Sequence, residues 1–493
     1  MTDTEHPLLR PGHNCHDIGH ADRLACIIDA GEYFRLAKAA MLGAQRRIML
    51  IGWDFDTRIL LEPEGATLEG PNELGAFLNW LPGHRPGLEV YLLKWSVGAL
   101  TAISRGMAPV FITNLLTKPN VHLEIDTHHP LHAAHHQKIA VIDDRLAFCG
   151  GIDMTVDRWD SPEHRDDDER RTTPNHKRYG PWHDATTAVD GQAARIVGAV
   201  ARDRWRAATG QELPEVTGID ADPWPTDLTP TMRSIDVGVA RTLPELPDRE
   251  EVREIEQLYL TAIRAARHTL YIESQYLASR TLADAMAERL RDPDGPEIVV
   301  VLPRNAEGWL EQKAMDGARR RLLHQLWQAD AHDRFRAYHP VTAAGADIYV
   351  HAKVLVVDDM LLRVGSSNLN NRSLGLDSEC DLAVEVTADD PLADQHRRAI
   401  LEVRDRLLAE HLDVPVERAR NDLDDRGSLV ATIEALRGKG KTLMRFDAST
   451  VADEDSPLAE NDLVDPETAK GNPILTRSIR FLAGRPLSKL GRR

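Results

Sequence analysis

Cysteine is scarce in this chain: Cys15, Cys26, Cys149 and Cys380 are the only four among 493 residues, and no two form a CxxC pair. Four are too few for a disulfide framework, and their spacing matches no cysteine zinc site, so a reducing compartment is expected. Aromatic residues make up only 5%. No segment approaches the roughly 20 consecutive apolar residues that cross a bilayer. The start, MTDTEHPLLRPGHNCHDIGHADR, lacks the basic and then apolar order of an export signal. A cytoplasmic protein is expected, peripheral at any membrane it visits. Basic charge is also in deficit. Sixty Lys and Arg against 78 Asp and Glu leave a formal charge of -18, which disfavours a nucleic-acid partner gripped through a broadly basic surface.

What is present is ordinary for a globular chain, 42% hydrophobic and 28% charged, and the length suggests two or three domains. The order of elements repeats. Asp29–Arg47 has apolar residues at helical spacing, followed by a strand at Ile48–Trp53, a helix at Asn72–Leu81 and strands at Leu88–Leu93 and Val121–Ile125. The same series returns as a helix at Glu251–Arg267, a strand at Thr269–Glu273, a helix at Arg280–Leu290 and a strand at Glu297–Leu302. The offset is nearly constant, 269 − 48 = 221 for the strands and 351 − 136 = 215 for the histidines that close each series. An internal duplication follows. It predicts two similar α/β sandwich halves, each with its own sheet, related by a pseudo-twofold axis with the functional residues at their interface.

The expected division is an N-terminal extension at 1–28, a first half at 29–211, a connecting segment at 212–249, a second half at 250–415, and a C-terminal helix and mobile tail at 416–493. Six prolines mark the connector, where Val237–Leu243 could still form a strand. Arg158–Gly180 is dense in charge and reads as a surface loop, either at the rim of an entrance or simply solvated with no binding role. The last stretch, Pro473–Arg493, mixes apolar and basic residues and is a candidate membrane-surface contact.

Each series ends in the same constellation. The first reads His-x-Lys-x4-Asp-x6-Gly-Gly-x-Asp from His136, with Lys138, Asp143, Gly150, Gly151 and Asp153; the second reads His-x-Lys-x4-Asp-x6-Gly-Ser-x-Asn from His351, with Lys353, Asp358, Gly365, Ser366 and Asn368. Strand alternation places each His and Lys on one face. An imidazole, an ammonium and small polar donors suit an anionic phosphoryl group that needs charge neutralisation and a nucleophile or proton carrier. The run His128, His129, His132, His135 and His136 also invites a zinc reading. Cysteine or carboxylate partners at ligand spacing are missing, so no metal site is assigned. Trp53, Trp95 and Tyr276 are candidates to line a substrate pocket, and Cys149 and Cys380 are expected to be small buried hydrophobes.

These motifs, with GGIDMTVDRWD, WHDATTAVDG, YIESQYL and GSSNLNNRSLGLDSE around them, resemble the phospholipase D superfamily over about Asp29–Val386. The resemblance implies the duplicated fold of that family and a reaction that needs no metal or cofactor. It implies that His136 attacks a phosphodiester to form a phosphohistidine, while neutral His136 and protonated His351 divide nucleophile and acid-base roles. It implies that Lys138 and Lys353 neutralise the phosphoryl oxygens, with Ser366, Asn368 and backbone amides as further donors. Glu379 is placed as the acid that holds His351, and Asp184 is the first-half candidate. Asp143 and Asp358 complete the motifs at the turns, and Asp153 is doubtful as a phosphate ligand because its charge would repel the anion.

The resemblance favours a phospholipase D that hydrolyses a glycerophospholipid at a membrane surface to phosphatidic acid and a head-group alcohol, with water or an alcohol as acceptor. A cardiolipin synthase-like phosphatidyltransferase is the alternative, a superfamily nuclease is less favoured, and a non-catalytic binding module is disfavoured by the intact motifs.

Overall fold

The computed structural model describes residues 7–95, 119–130, 133–306, 309–447 and Asp465. The tail expected to be mobile and the basic stretch at its end lie outside the described residues apart from Asp465, as does His132. Asp465 accepts hydrogen bonds from the backbone N–H groups of Asn371 (3.1 Å) and Arg372 (2.8 Å).

The two series do not build separate sheets. Their strands join in one 16-stranded sheet whose centre is the antiparallel pair of Asp17–Ile28 and Met232–Leu243. Outward from Asp17–Ile28 run Ala185–Asp190, Leu146–Gly150, Ile139–Ile142, Arg47–Gly52, Glu89–Trp95 and Val121–Asp126. Outward from Met232–Leu243 run Glu379–Glu385, Leu361–Gly365, Val354–Val357, Thr269–Glu273, Glu297–Val301 and Phe335–Val341, with Thr442–Arg445 added at the edge. The order is palindromic. Duplication therefore appears as pseudo-twofold symmetry about the central pair.

Two strands thus occupy segments read as extension and connector. Both begin in polar sequence, and each lies between two distant partners, the other central strand on one side and Ala185–Asp190 or Glu379–Glu385 on the other, pairings that leave no local sign. Along the strands, burial alternates between layers. Leu24, Met49 and Tyr271 face helices Gly191–Thr209 and Ala393–Leu412 on one side. On the other, Ile48 and Leu50 pack with helix Ala30–Leu42, and Leu270 and Ile272 with helices Glu254–Ala265 and Arg280–Arg291. The period of two in the sequence is this division between layers. Among the described residues, no helix is long and apolar enough to cross a membrane.

Candidate active site

The histidines stand just before the motif hairpins. His136 and Lys138 precede strand Ile139–Ile142, and His351 and Lys353 lie between the short strand Tyr349–Val350 and Val354–Val357. The expected unbroken strand is interrupted there because the histidine segments bond across the halves. His136 N–H donates to the Ser378 carbonyl (2.9 Å), and His351 N–H donates to the His183 carbonyl (2.8 Å).

The side chains cross in the same way. Nδ1 of His136 lies 3.0 Å from both carboxylate oxygens of Glu379, and Nδ1 of His351 lies 2.7 Å from Oδ2 of Asp184. Each imidazole is therefore held by a carboxylate of the other half, which corrects the expectation that Glu379 serves His351. Asp184 receives the Ala185 N–H at 2.8 Å. Gly151 makes room for it, since a Cβ there would stand 2.1 Å from Asp184 Oδ1. Glu379 accepts hydroxyl bonds from Ser366 (2.5 Å) and Ser373 (2.7 Å). Ser366 thus serves a carboxylate and is not a free donor toward phosphate, a second correction.

With Nδ1 engaged, Nε2 of each imidazole is the atom left for chemistry. His136 is the more accessible, its side chain 16% exposed against 6% for His351. Burial, reinforced by Lys138 and Lys353, holds the His136 pKa well below its ordinary value, and burial with Lys353 and Arg158 does the same for His351. Both imidazoles are thereby biased toward the neutral form in the free enzyme. Burial pushes the Glu379 carboxyl up to about 8 despite the pull of Lys138, and raises that of Asp184 despite Lys353. It also brings the Lys353 ammonium down to about 7.

Lys138 donates to the His136 carbonyl (3.0 Å) and lies 3.2 Å from Asp153. Asp153 is turned away, its Oδ1 receiving the Trp53 N–H at 3.0 Å. Lys353 donates to the His351 carbonyl and stands 3.0 Å from Nδ1 of His351. Asn368 donates to Gln275 (3.3 Å). Arg158 lies over Trp182 at 4.1 Å and Trp182 is tilted against His351 at 5.2 Å, so the inserted loop does begin at the site. Farther along that loop Asp160, His164 and Arg171 are buried, against the expectation of a surface segment. Trp53 and Trp95 stack at 5.8 Å. The histidine run disperses: Trp95 bonds His129, His135 faces Asp126, and His136 turns to Glu379.

Asp143 and Asp358 stand at the far ends of the motif strands. Asp143 accepts the N–H groups of Gln45, Arg46 and Arg47 at 2.6 to 2.8 Å, and Asp358 accepts those of Arg267, His268 and Thr269 at 2.7 to 2.9 Å. Neither reaches an imidazole, and the backbone bonds fit the supporting place at the turns that the motif gives them. Asp358→Ala should lower stability by about 3 kcal/mol, because three donors lose a charged acceptor, while folded enzyme keeps its turnover per active site. Denaturant melts and active-site titration check both halves of that expectation.

Two groups escaped the sequence reading. Ser373 lies in a one-turn π-helix, Arg372–Leu376, and its partner is six residues on, a spacing without a helical or strand signature. Buried Asp381 receives the Arg363 guanidinium (Nε 2.8 Å) and the Ser366 and Ser367 N–H groups (3.0 and 3.2 Å). It fixes the Gly-Ser-Ser-Asn turn.

The family pattern described as Phospholipase D matches residues 40–288, and that described as Cardiolipin synthase, PLD-like domain matches 259–402. Phospholipase D A of Dictyostelium discoideum is 24% identical, with 81% of this chain and 37% of the relative covered. Phospholipase D alpha 1 of Cynara cardunculus is 25% identical, covering 51% and 45%. The chain thus spans less than half the length of these curated relatives. The crystal structure of phosphatidylserine synthase from Haemophilus influenzae Rd KW20 has a similar fold, with a TM-score of 0.51 at 12% identity, covering 79% of this chain and 89% of that one.

Proposed function

The chain belongs to the phospholipase D family, and from that premise we propose that it is a phosphodiesterase that cleaves glycerophospholipids to phosphatidic acid and a head-group alcohol, with transfer to alcohols as a parallel outcome. The observation that carries this reading is the crossed pair of imidazoles, each fixed through Nδ1 by a carboxylate of the opposite half and each with a lysine beside it.

In the proposed sequence Nε2 of His136 attacks phosphorus, a P–N bond forms, and the bond to the head-group oxygen breaks. His351 gives that oxygen its proton. Water or an alcohol then attacks, its proton passes to His351, and the P–N bond breaks. Lys138 and Lys353 offset the charge that gathers on the non-bridging oxygens. Burial leaves His136 neutral and nucleophilic in the resting enzyme. His351 takes up its proton from solvent as the anionic substrate binds, because the substrate's charge offsets Lys353 and Arg158, which add to burial in holding that imidazole neutral.

Lys353 makes the pH dependence predictable. Its ammonium is charged below about 7 and loses its proton above. kcat/KM, which reports the free enzyme, should therefore fall more steeply as pH rises through about 7, on top of the decline set by proton uptake at His351. The kcat profile should hold to higher pH because bound phosphate favours the charged lysine. Lys353→Arg should move the kcat/KM limb upward, and a flat kcat/KM in wild-type enzyme from neutral to mildly alkaline pH would remove Lys353 from this role.

The test is incubation with mixed phospholipid vesicles and a short primary alcohol, read by mass spectrometry. Phosphatidyl-alcohol, absent with His136→Ala, is expected, and the lipid consumed names the head group. The match of 259–402 to the cardiolipin synthase pattern supports a second reading, transfer to a lipid acceptor. That reading gains if the product forms only when phosphatidylglycerol is supplied. Failure of every lipid, with DNA cut instead, would overturn both.

A further inference from the structure

Behind the reacting groups lies a second cluster that the proposed reaction does not use. Asp29, His164, His183 and Glu410 each place one ligating atom within 4.8 Å of the others. Nε2 of His164 is 3.1 Å from Glu410 Oε1 and 3.6 Å from Asp29 Oδ2. Nδ1 of His183 is 2.6 Å from the same Glu410 oxygen and 3.5 Å from Asp29 Oδ1. Four ligands about 2.0 Å from a tetrahedral zinc ion stand about 3.3 Å apart, and these separations bracket that edge.

We propose that Asp29, His164, His183 and Glu410 form a binding site for one first-row transition-metal dication, with Zn2+ the best fit. Two imidazoles with two carboxylates suit such an ion better than Ca2+ or Mg2+, which take all-oxygen shells.

Three further observations support a ligand at this point. Asp29 is fully buried, and its Oδ2, facing His164, has no hydrogen-bond partner. In the ion-pair network alone that oxygen has only the 3.6 Å approach of His164, while both rings converge on one oxygen of Glu410. The far nitrogen of each ring also meets a carboxylate: Nδ1 of His164 lies 2.9 Å from Asp160, and Nε2 of His183 lies 2.8 Å from Glu273. That outer layer orients metal-bound imidazoles and raises their basicity. Finally, Glu410 lies in the wall of a cleft of about 540 Å3 whose lining also holds Glu32, Glu163 and Asp413 against two cations, Arg406 and Lys441, so an ion has an approach in which acids outnumber bases.

The ion would tie together the end of strand Asp17–Ile28, the inserted loop, strand Trp182–His183 and helix Ala393–Leu412. His183 adjoins Asp184, which holds His351. The site therefore stabilises the interface of the halves and positions Asp184 without touching substrate, and it stands independently of which phosphodiester is cleaved.

The test uses full-length protein stripped with a chelator and titrated with Zn2+ and Co2+ alone, followed by calorimetry, the visible band of tetrahedral Co2+ and thermal melting. One equivalent per chain, a higher Tm on reloading and a tetrahedral Co2+ band are expected. His164→Gln should remove binding, and Asp160→Asn should weaken it about 10- to 100-fold. Glu410→Gln, which keeps its shape, is the second ligand variant should His164→Gln misfold. The proposal falls if stripped, folded wild-type protein takes up no ion and its Tm does not move. It also falls if folded His164→Gln or Glu410→Gln binds as well as wild type, which would place the ion on other histidines.

Discussion

His136→Ala and His351→Ala should each lower turnover of a natural phospholipid by at least about 10^3-fold, the scale seen when a nucleophile or its acid-base partner is removed, yet the two variants should fail at different steps. His136 would supply the bond to phosphorus, so without it no phosphoenzyme forms on any substrate. His351 would supply a proton to the leaving oxygen. A substrate whose leaving group needs no proton, such as a p-nitrophenyl phosphodiester, should bypass that need in His351→Ala and release one equivalent of nitrophenol in a burst. The intermediate should then persist, because no base remains to activate water. Acid quench and peptide mass spectrometry should find phosphorus on His136 in His351→Ala and nowhere in His136→Ala. Appreciable steady turnover in either folded variant would remove the two-histidine mechanism. A burst in His136→Ala with none in His351→Ala would exchange the two roles. The greater exposure of His136, 16% against 6%, favours it as the group that meets phosphorus first.

Much of the architecture was legible because duplication doubles every signal. A helix ahead of Ile48 and another ahead of Thr269 would be weak separately; at a nearly constant offset they define a unit. The motif residues were legible for the same reason. What escaped was pairing over distance. Asp17–Ile28 and Met232–Leu243 stand at the centre of the sheet, but each is completed by a strand more than two hundred residues away, and neither shows the continuous apolar run of a fully buried strand. The inserted loop was misread by the same logic. Its charges suggest solvent only until Asp160 finds His164 and Arg171 inside the fold. A buried charge is tolerated when paired, and pairing between loop residues has no period.

The carboxylates show this limit most directly. Glu379 and Asp184 were visible as acids near the motifs, but proximity in sequence joined Glu379 to His351, 28 residues away. The fold joins it to His136 across 243 residues, and joins Asp184 to His351 across 167. The central strand pair is the cause. It sets the halves antiparallel about the pseudo-twofold axis, so the end of each motif hairpin faces the opposite half.

That crossing predicts paired phenotypes that a within-half arrangement would reverse. Glu379→Gln keeps an oxygen and an amide between Ser366, Ser373 and His136, but unlike the carboxyl, which burial holds at about 8, the amide cannot ionise as positive charge develops on the attacking ring. Formation of the phosphoenzyme should slow by about 10^3-fold, by analogy with the loss of an orienting carboxylate behind a catalytic imidazole. The nitrophenol burst should slow with it. Asp184→Asn removes the same support from His351, so cleavage of natural lipid should fall by a comparable factor. The burst from the activated substrate should stay fast, because that step draws no proton from His351. Only the release of the intermediate to water or alcohol should lag. A slow burst in Asp184→Asn and a fast one in Glu379→Gln would mean that each carboxylate serves the histidine of its own half. Rescue supplies an independent check. Glu379→Asp retains an ionisable carboxyl but shortens the reach to His136, so it should recover part of the burst rate, whereas a role in packing alone would favour the isosteric glutamine.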